Sequence, residues 1–242
     1  MSHFYFTIYI LLNFSISDNP KKMMHLKLFT TMAVLFGVAC ADQNSTNLYD
    51  LTAVDIDGNA ISMSQYAGNV SLVVNVATYW GTTDANYKAL ATLQQKYAKQ
   101  PVRFFLFPCN QFLGQEPSAN SVIKAFASKY LTLGTNVIML SKTDVNKGLL
   151  GKRCTSKDGC TASSKECCPA NNGVYDYLQS TVPGKCDWNF NKYPIGKNGV
   201  PSGKRYGDET VAPALETDID ALLAASFADH NTLEGTVMTP MW

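Results

Sequence analysis

The feature that most constrains this chain is an apolar strand-like run that breaks into a short turn and reopens as a helix. Ser71-Leu-Val-Val-Asn75-Val76 carries four apolar residues out of six, and Leu72 to Val76 reads as a strand buried on both faces. Ala77 to Thr82 is the turn. From Thr83, which can cap a helix, Tyr87, Leu90, Leu93 and Tyr97 recur at helical spacing. A strand–turn–helix unit leaves its turn at an electropositive helix N-terminus. Such a site lowers the pKa of a thiol or selenol and favours its ionised, reactive form. The turn residue here is Trp80, whose indole has one N–H donor and no ionisable group. The frame of a reactive site is present, and the atom that should react is not.

The pattern then repeats. Val102 to Phe107 is a second buried strand, behind the stop at Pro101. Asn120 to Tyr130 reads as a helix with Val122, Ile123 and Phe126 inward, and Val137 to Leu140 as a strand. Upstream, Asp57-Gly58 marks a hairpin turn, and Ser64 to Ala67 a short helical turn. Later come a helix at Val174 to Leu178, a hairpin-like pair around Lys197-Asn198-Gly199, and an amphipathic helix from Leu215 to Ala225. This β-α-β order specifies an α/β domain with a central, partly parallel sheet.

The ends and one insertion fall outside that pattern. Lys27, the apolar run Leu28 to Val38, and Ala39-Cys40-Ala41 have the layout of a secretory signal peptide, with Met23 or Met24 as its natural start. A buried apolar helix is the alternative for this segment. Residues 1–41 are therefore set apart as leader and signal, residues 42–226 as the domain, and residues 227–242 as a tail. Asn44-Ser-Thr46 and Asn69-Val-Ser71 are glycosylation sequons. Of the 7 cysteines, five fall between Cys154 and Cys186, beside a Gly-, Ser- and Lys-rich stretch at about 148–172. In a secreted chain this reads as a disulfide-tied insertion, with the neighbours Cys167 and Cys168 bonded to other partners. Zinc is the runner-up, without histidine or a matching spacing. A net charge of +1 excludes the basic face of a nucleic-acid binder. No window reaches the roughly 20 apolar residues of a membrane span.

Three separated stretches together resemble the glutathione peroxidase family. They are Asn75-Val-Ala-Thr-Tyr-Trp80-Gly-Thr-Thr83 with Asn86-Tyr87; Phe107-Pro-Cys-Asn-Gln-Phe112 with Gln115-Glu-Pro117; and Trp188-Asn-Phe190 with Lys192, Gly196, Gly199, Arg205 and Tyr206. The resemblance runs from about Asn47 to Leu223. It implies a thioredoxin-like fold, a central mixed β-sheet flanked by helices. It implies reduction of hydrogen peroxide or organic hydroperoxides, in the response to oxidative stress. The reductant is glutathione or another small thiol, a co-substrate with no other cofactor. It places the peroxidatic residue at Trp80 and its stabilising donors at Gln115, Trp188 and Asn189, with Tyr79 and Thr82 flanking. Separately, each has a plainer reading: Gln115 as a loop hydrogen-bonder, Trp188 as a core aromatic, Asn189 as a turn residue and Cys109 as a buried free thiol.

The departures matter. Trp80 is either a genuine tryptophan, leaving an inactive binding scaffold, or a selenocysteine codon read as tryptophan, since UGA has both meanings in different codes. A third reading makes Cys186 the nucleophile. Lys124 to Lys129 holds no second cysteine, where thioredoxin-dependent members carry a resolving one, and this favours a small thiol. The short link from Ser180 to Cys186, where tetrameric members have a longer loop, points to a monomer.

Overall fold

A hairpin opens the fold. Strand β1 (Thr52–Val54) pairs antiparallel with β2 (Ala60–Ser62) across the Asp57-Gly58 turn, where Gly58 holds φ 91°. This region comes from a computed structural model that describes residues 47–147, 160–208 and 214–225. Contacts divide the chain into Met1–Gln43 and Asn44–Trp242, and all that is described belongs to the second unit. The expected leader, the tail and most of the insertion's first half lie outside the described residues.

The main sheet has four strands in the order β5-β4-β3-β6. Strand β3 (Val70–Val76) and β4 (Val102–Pro108) run parallel, with α1 (Thr83–Lys96) as their crossover. Helix α2 (Asn120–Ala127) leads to β5 (Val137–Met139), parallel to β4. Helix α3 (Asn172–Thr181) precedes β6 (Lys192–Ile195), which is antiparallel to β3. Helix α4 (Ala214–Ala224) follows. The sheet is mixed, as expected.

Strand alternation divides the core. Val70, Leu72, Val74 and Val76 of β3 and Phe104 and Leu106 of β4 pack with Tyr87, Leu90, Leu93, Ile123, Leu215 and Ile219. The other face carries Val73, Phe105, Phe107 and Tyr193 against Val174, Tyr175 and Leu178 of α3. Each such side chain stabilises by about 1.5–3 kcal/mol when fully buried, so a slip of one residue in β3 is strongly disfavoured.

Two local expectations are corrected. Thr83 is the first residue of α1 and Thr82 its cap position, with no side-chain cap bond. The Thr83 hydroxyl instead donates to the Ala77 carbonyl, because the turn folds back over the helix start. Val122 is 53% exposed; the inward stripe of α2 is Asn120, Ile123 and Ala127, which share one helical face. The vicinal cysteines do bond elsewhere: Cys168 pairs with Cys160, and Cys167 is also in a disulfide.

Candidate active site

The site lies at the C-terminal ends of the parallel strands β3 and β4, where open α/β sheets form a crevice. Three chain segments converge there: the turn after β3, the loop after β4, and the segment entering β6.

Asn75 draws the third segment in. It is a buried polar residue in an otherwise apolar strand. Its side-chain nitrogen donates to the Trp188 carbonyl at 2.9 Å, and its side-chain oxygen accepts from Asn191 N at 2.8 Å. Its backbone carbonyl accepts from Phe190 N at 2.7 Å. These bonds settle Asn75's buried polar groups and fix the Trp188–Asn191 segment against β3. Phe190 adopts φ 59° and Leu113 φ 52°. That left-handed backbone costs a non-glycine residue on the order of 1 kcal/mol. Both strained residues lie beside expected site residues.

The turn is fixed from both ends. Trp80 N donates to the Thr83 hydroxyl at 3.2 Å, and Thr83 N to the Trp80 carbonyl at 3.1 Å. Tyr79 N donates to the Gln115 carbonyl at 3.0 Å. The Thr78 hydroxyl donates to Glu116 Oε2 at 2.9 Å.

Trp80, Gln115, Trp188 and Asn189 come together here, with Tyr79 and Thr82 beside them. The Trp80 and Trp188 rings lie 5.5 Å apart, tilted by 59°. The Phe112 ring lies 5.5 Å from that of Trp188, tilted by 41°. Asn189 Nδ2 donates to Gln115 Oε1 at 2.6 Å. Trp188 Nε1 and Asn189 Oδ1 are buried and have no hydrogen-bond partner among the described residues. Tyr79 stands 60% exposed at the rim.

Sequence reasoning missed Asp208. Its carboxylate accepts from Trp80 Nε1 at 2.7 Å, from the Thr82 hydroxyl at 2.7 Å and from Asn86 Nδ2 at 2.8 Å. The buried Lys192 ammonium holds that segment by donating to the carbonyls of Phe190, Gly207 and Asp208. Burial lowers the Lys192 pKa to about 8, against the attraction of Asp208. A lone aspartate more than 100 positions from its partners carries no local sequence signal. Glu116 was also passed over, although it lies inside a quoted motif. It is fully buried, and burial raises its pKa to about 7 against the Thr78 hydrogen bonds and Lys142.

Among the described residues, neither free cysteine is a ready nucleophile. Cys109 is a buried free thiol, as expected, and burial pushes its pKa up to about 12. Cys186 is also a buried free thiol, pushed up to about 11 by burial. Its position and its protonated state count against the reading that made it the nucleophile.

Known proteins share this architecture. A family model described as glutathione peroxidase matches residues 48–150. A probable glutathione peroxidase 2 of Arabidopsis thaliana is 36% identical over 187 residues, covering 76% of this chain and 96% of that protein. A mitochondrial glutathione peroxidase 1 of Chlamydomonas reinhardtii is 37% identical over 192 residues, covering 78% of this chain and 85% of that protein. The crystal structure of T. cruzi GPX1 superposes with a TM-score of 0.52 at 25% identity, covering 73% of this chain and 96% of that one. The thioredoxin-like fold expected from the sequence is the fold of this domain.

Proposed function

Because this chain belongs to the glutathione peroxidase family, we propose that it reduces hydrogen peroxide or organic hydroperoxides with a thiol, in the response to oxidative stress, and that residue 80 is its peroxidatic position. In this reading residue 80 is inserted as selenocysteine, and the tryptophan is a misread codon. Gln115, Trp188 and Asn189 form the shell around it.

The observation that carries the reading is the buried Trp188 N–H without an acceptor, in a ring 5.5 Å from residue 80. An ionised selenolate is an acceptor and would meet that donor. An indole is a donor only and cannot. The helix end at Thr83 adds a positive field that favours the anion.

The chemistry follows in three balanced steps. The selenolate lone pair attacks the terminal peroxide oxygen, the O–O bond breaks, and the leaving alkoxide or hydroxide takes a proton. A thiol then displaces water from the selenenic acid and forms a Se–S bond. A second thiol attacks that sulfur, releases the disulfide and restores the selenolate. Glutathione or another small thiol acts as co-substrate, with no resident cofactor, and α2 offers no resolving cysteine.

The finer points of the proposal are secretion and action as a monomer. Secretion is supported by the signal-like leader and by the disulfides of Cys160, Cys167 and Cys168. The monomer is supported by the short link after α3. No described helix is long and apolar enough to cross a membrane.

The test is the Trp80→Cys variant of the mature chain. Thiol-dependent hydroperoxide reduction by that variant, absent from the tryptophan form, is expected. No turnover in a folded Trp80→Cys protein would contradict the shell assignment.

A further inference from the structure

The carboxylate that ties down the tryptophan is left open by the residue proposed in its place. Asp208 Oδ1 is held by the Thr82 hydroxyl at 2.7 Å and by Asn86 Nδ2 at 2.8 Å. Its Oδ2 takes the Trp80 Nε1 proton at 2.7 Å. Oδ2 also lies 2.9 Å from the Thr82 hydroxyl, but that hydroxyl has one proton and is nearer Oδ1. With tryptophan at position 80 the carboxylate is therefore matched and acts as scaffold. A selenocysteine or cysteine has no N–H on its side chain, and its chalcogen stands one bond from Cβ. The volume of the indole then becomes space, and Oδ2 faces it with that donor removed.

The carboxylate keeps its place without the indole. Thr82, at the cap position of α1, and Asn86, inside α1, still bond it. Its charge remains as well. Lys192 attracts it, but the buried Lys192 ammonium donates to the backbone carbonyls of Phe190, Gly207 and Asp208. The cations on the same segment are engaged elsewhere: Arg205 bonds the Asp187 carboxylate at 3.2 Å, and Lys204 bonds that of Asp218 at 2.7 Å. Among the described residues, Asp208 supplies the only charged group hydrogen-bonded to the side chain of residue 80.

We propose that Asp208 selects the reducing co-substrate: the thiol that regenerates residue 80 carries a positive charge close to its sulfur, as a short aminothiol does, and its ammonium replaces the indole N–H against Oδ2. This rests on the peroxidatic reading of residue 80 and names the class of thiol that the reading left open. An ammonium offers three N–H donors and the opposite charge. A thiol with a carboxylate at that place sets two anions against each other in a half-buried site. The discrimination falls on the two thiol steps, whose bonds are those described above. When each thiol arrives, selenium is bonded to oxygen or to sulfur and is uncharged, so Asp208 sets the local field.

Stoichiometric exchange with charged disulfides tests this without catalysis. In the Trp80→Cys form of the full chain, the introduced thiolate attacks one sulfur of an added disulfide, the S–S bond breaks, and the other half leaves as a thiolate. The probes are cystamine, which carries an ammonium at each end, and dithiodiglycolate, which carries a carboxylate at each end. The mass of the peptide containing residue 80 follows each rate, and the same chain unfolded in urea gives the intrinsic ratio of the two. Folding should shift that ratio about 10-fold toward cystamine, through an attraction gained and a repulsion avoided. Asp208→Asn should remove the shift, and Asp208→Lys should reverse it. No shift on folding, a shift that survives Asp208→Asn, or no exchange with cystamine at all would overturn the proposal. In hydroperoxide turnover by the same Trp80→Cys protein, kcat/KM should be higher for cysteamine than for thioglycolate, and Asp208→Asn should lower that ratio. If turnover is absent while the exchange ratios behave as described, the peroxidase reading fails and the charge selection stands. Turnover with exchange ratios that ignore Asp208 sinks the charge selection alone.

Discussion

The two sides of residue 80 differ in how completely their polar atoms are matched. On the Asp208 side one carboxylate takes hydrogen bonds from Trp80, Thr82 and Asn86, Lys192 secures the backbone behind it, and Asn86 Oδ1 is the one buried atom of these side chains left unmatched among the described residues. On the Gln115 side, Trp188 Nε1, Asn189 Oδ1 and Glu116 Oε1 are all buried and unmatched among the described residues. A buried polar atom without a partner costs about 1–3 kcal/mol. Native folds keep few of them, and each calls for an explanation such as a catalytic role, an ordered water or an ion. The matched side behaves as scaffold. On the Gln115 side Trp188 Nε1 is a donor left for an acceptor, which the indole of residue 80 cannot be, whereas Asn189 Oδ1 and Glu116 Oε1 are acceptors left for a donor.

The largest expected effect breaks the comparison outright. The tryptophan form should show no peroxidase turnover, and Trp80→Cys should create it, measured by thiol-coupled hydroperoxide consumption. In that active background, Trp188→Phe removes the N–H and keeps a ring. It should lower kcat/KM on the order of 10²-fold, as the loss of a preorganised donor does. An unchanged rate would return Trp188 to the role of a core aromatic.

Stability sharpens the contrast in the opposite sense. In the tryptophan form, Asp208→Ala removes the acceptor of three donors, leaving Trp80 Nε1 without its carboxylate, and should cost about 2–3 kcal/mol in urea unfolding. Trp188→Phe in the same form removes an unmatched donor and should cost under about 1 kcal/mol. Equal losses would erase the distinction between the two sides.

A pH-dependent effect concerns Lys192. Its folded pKa, about 8, lies below its ordinary value of 10.5. Between those values the unfolded chain binds more protons than the folded one, so stability should rise with pH across the window. Lys192→Met should remove that rise in Tm. Glu116 acts in the other direction. Its folded pKa is raised from 4.5 to about 7, so stability present at low pH should be lost as pH climbs through that range.

Much of this was legible in the sequence, for physical reasons. Val70–Val76 and Val102–Pro108 are almost wholly buried, and such strands leave continuous apolar runs. The residues around position 80 were legible because three separated motifs carried them together. What local pattern could not show was tertiary. Asp208 reaches Trp80 only because the Lys192 segment pairs with β3. Val122 read as inward from its apolar character alone, yet the face of α2 is set by Asn120, whose amide bonds Ser141 inside the fold. Thr83 looked like a cap because its hydroxyl's real partner, the Ala77 carbonyl, appears only once the turn has closed.

The central claim is that residue 80 is a working peroxidatic position. Its most direct test is the mass of the peptide containing residue 80, taken from the protein made by its natural source. The account predicts selenium there, visible in both the mass and the isotope pattern. A tryptophan mass would contradict it, and the site would then be a closed one.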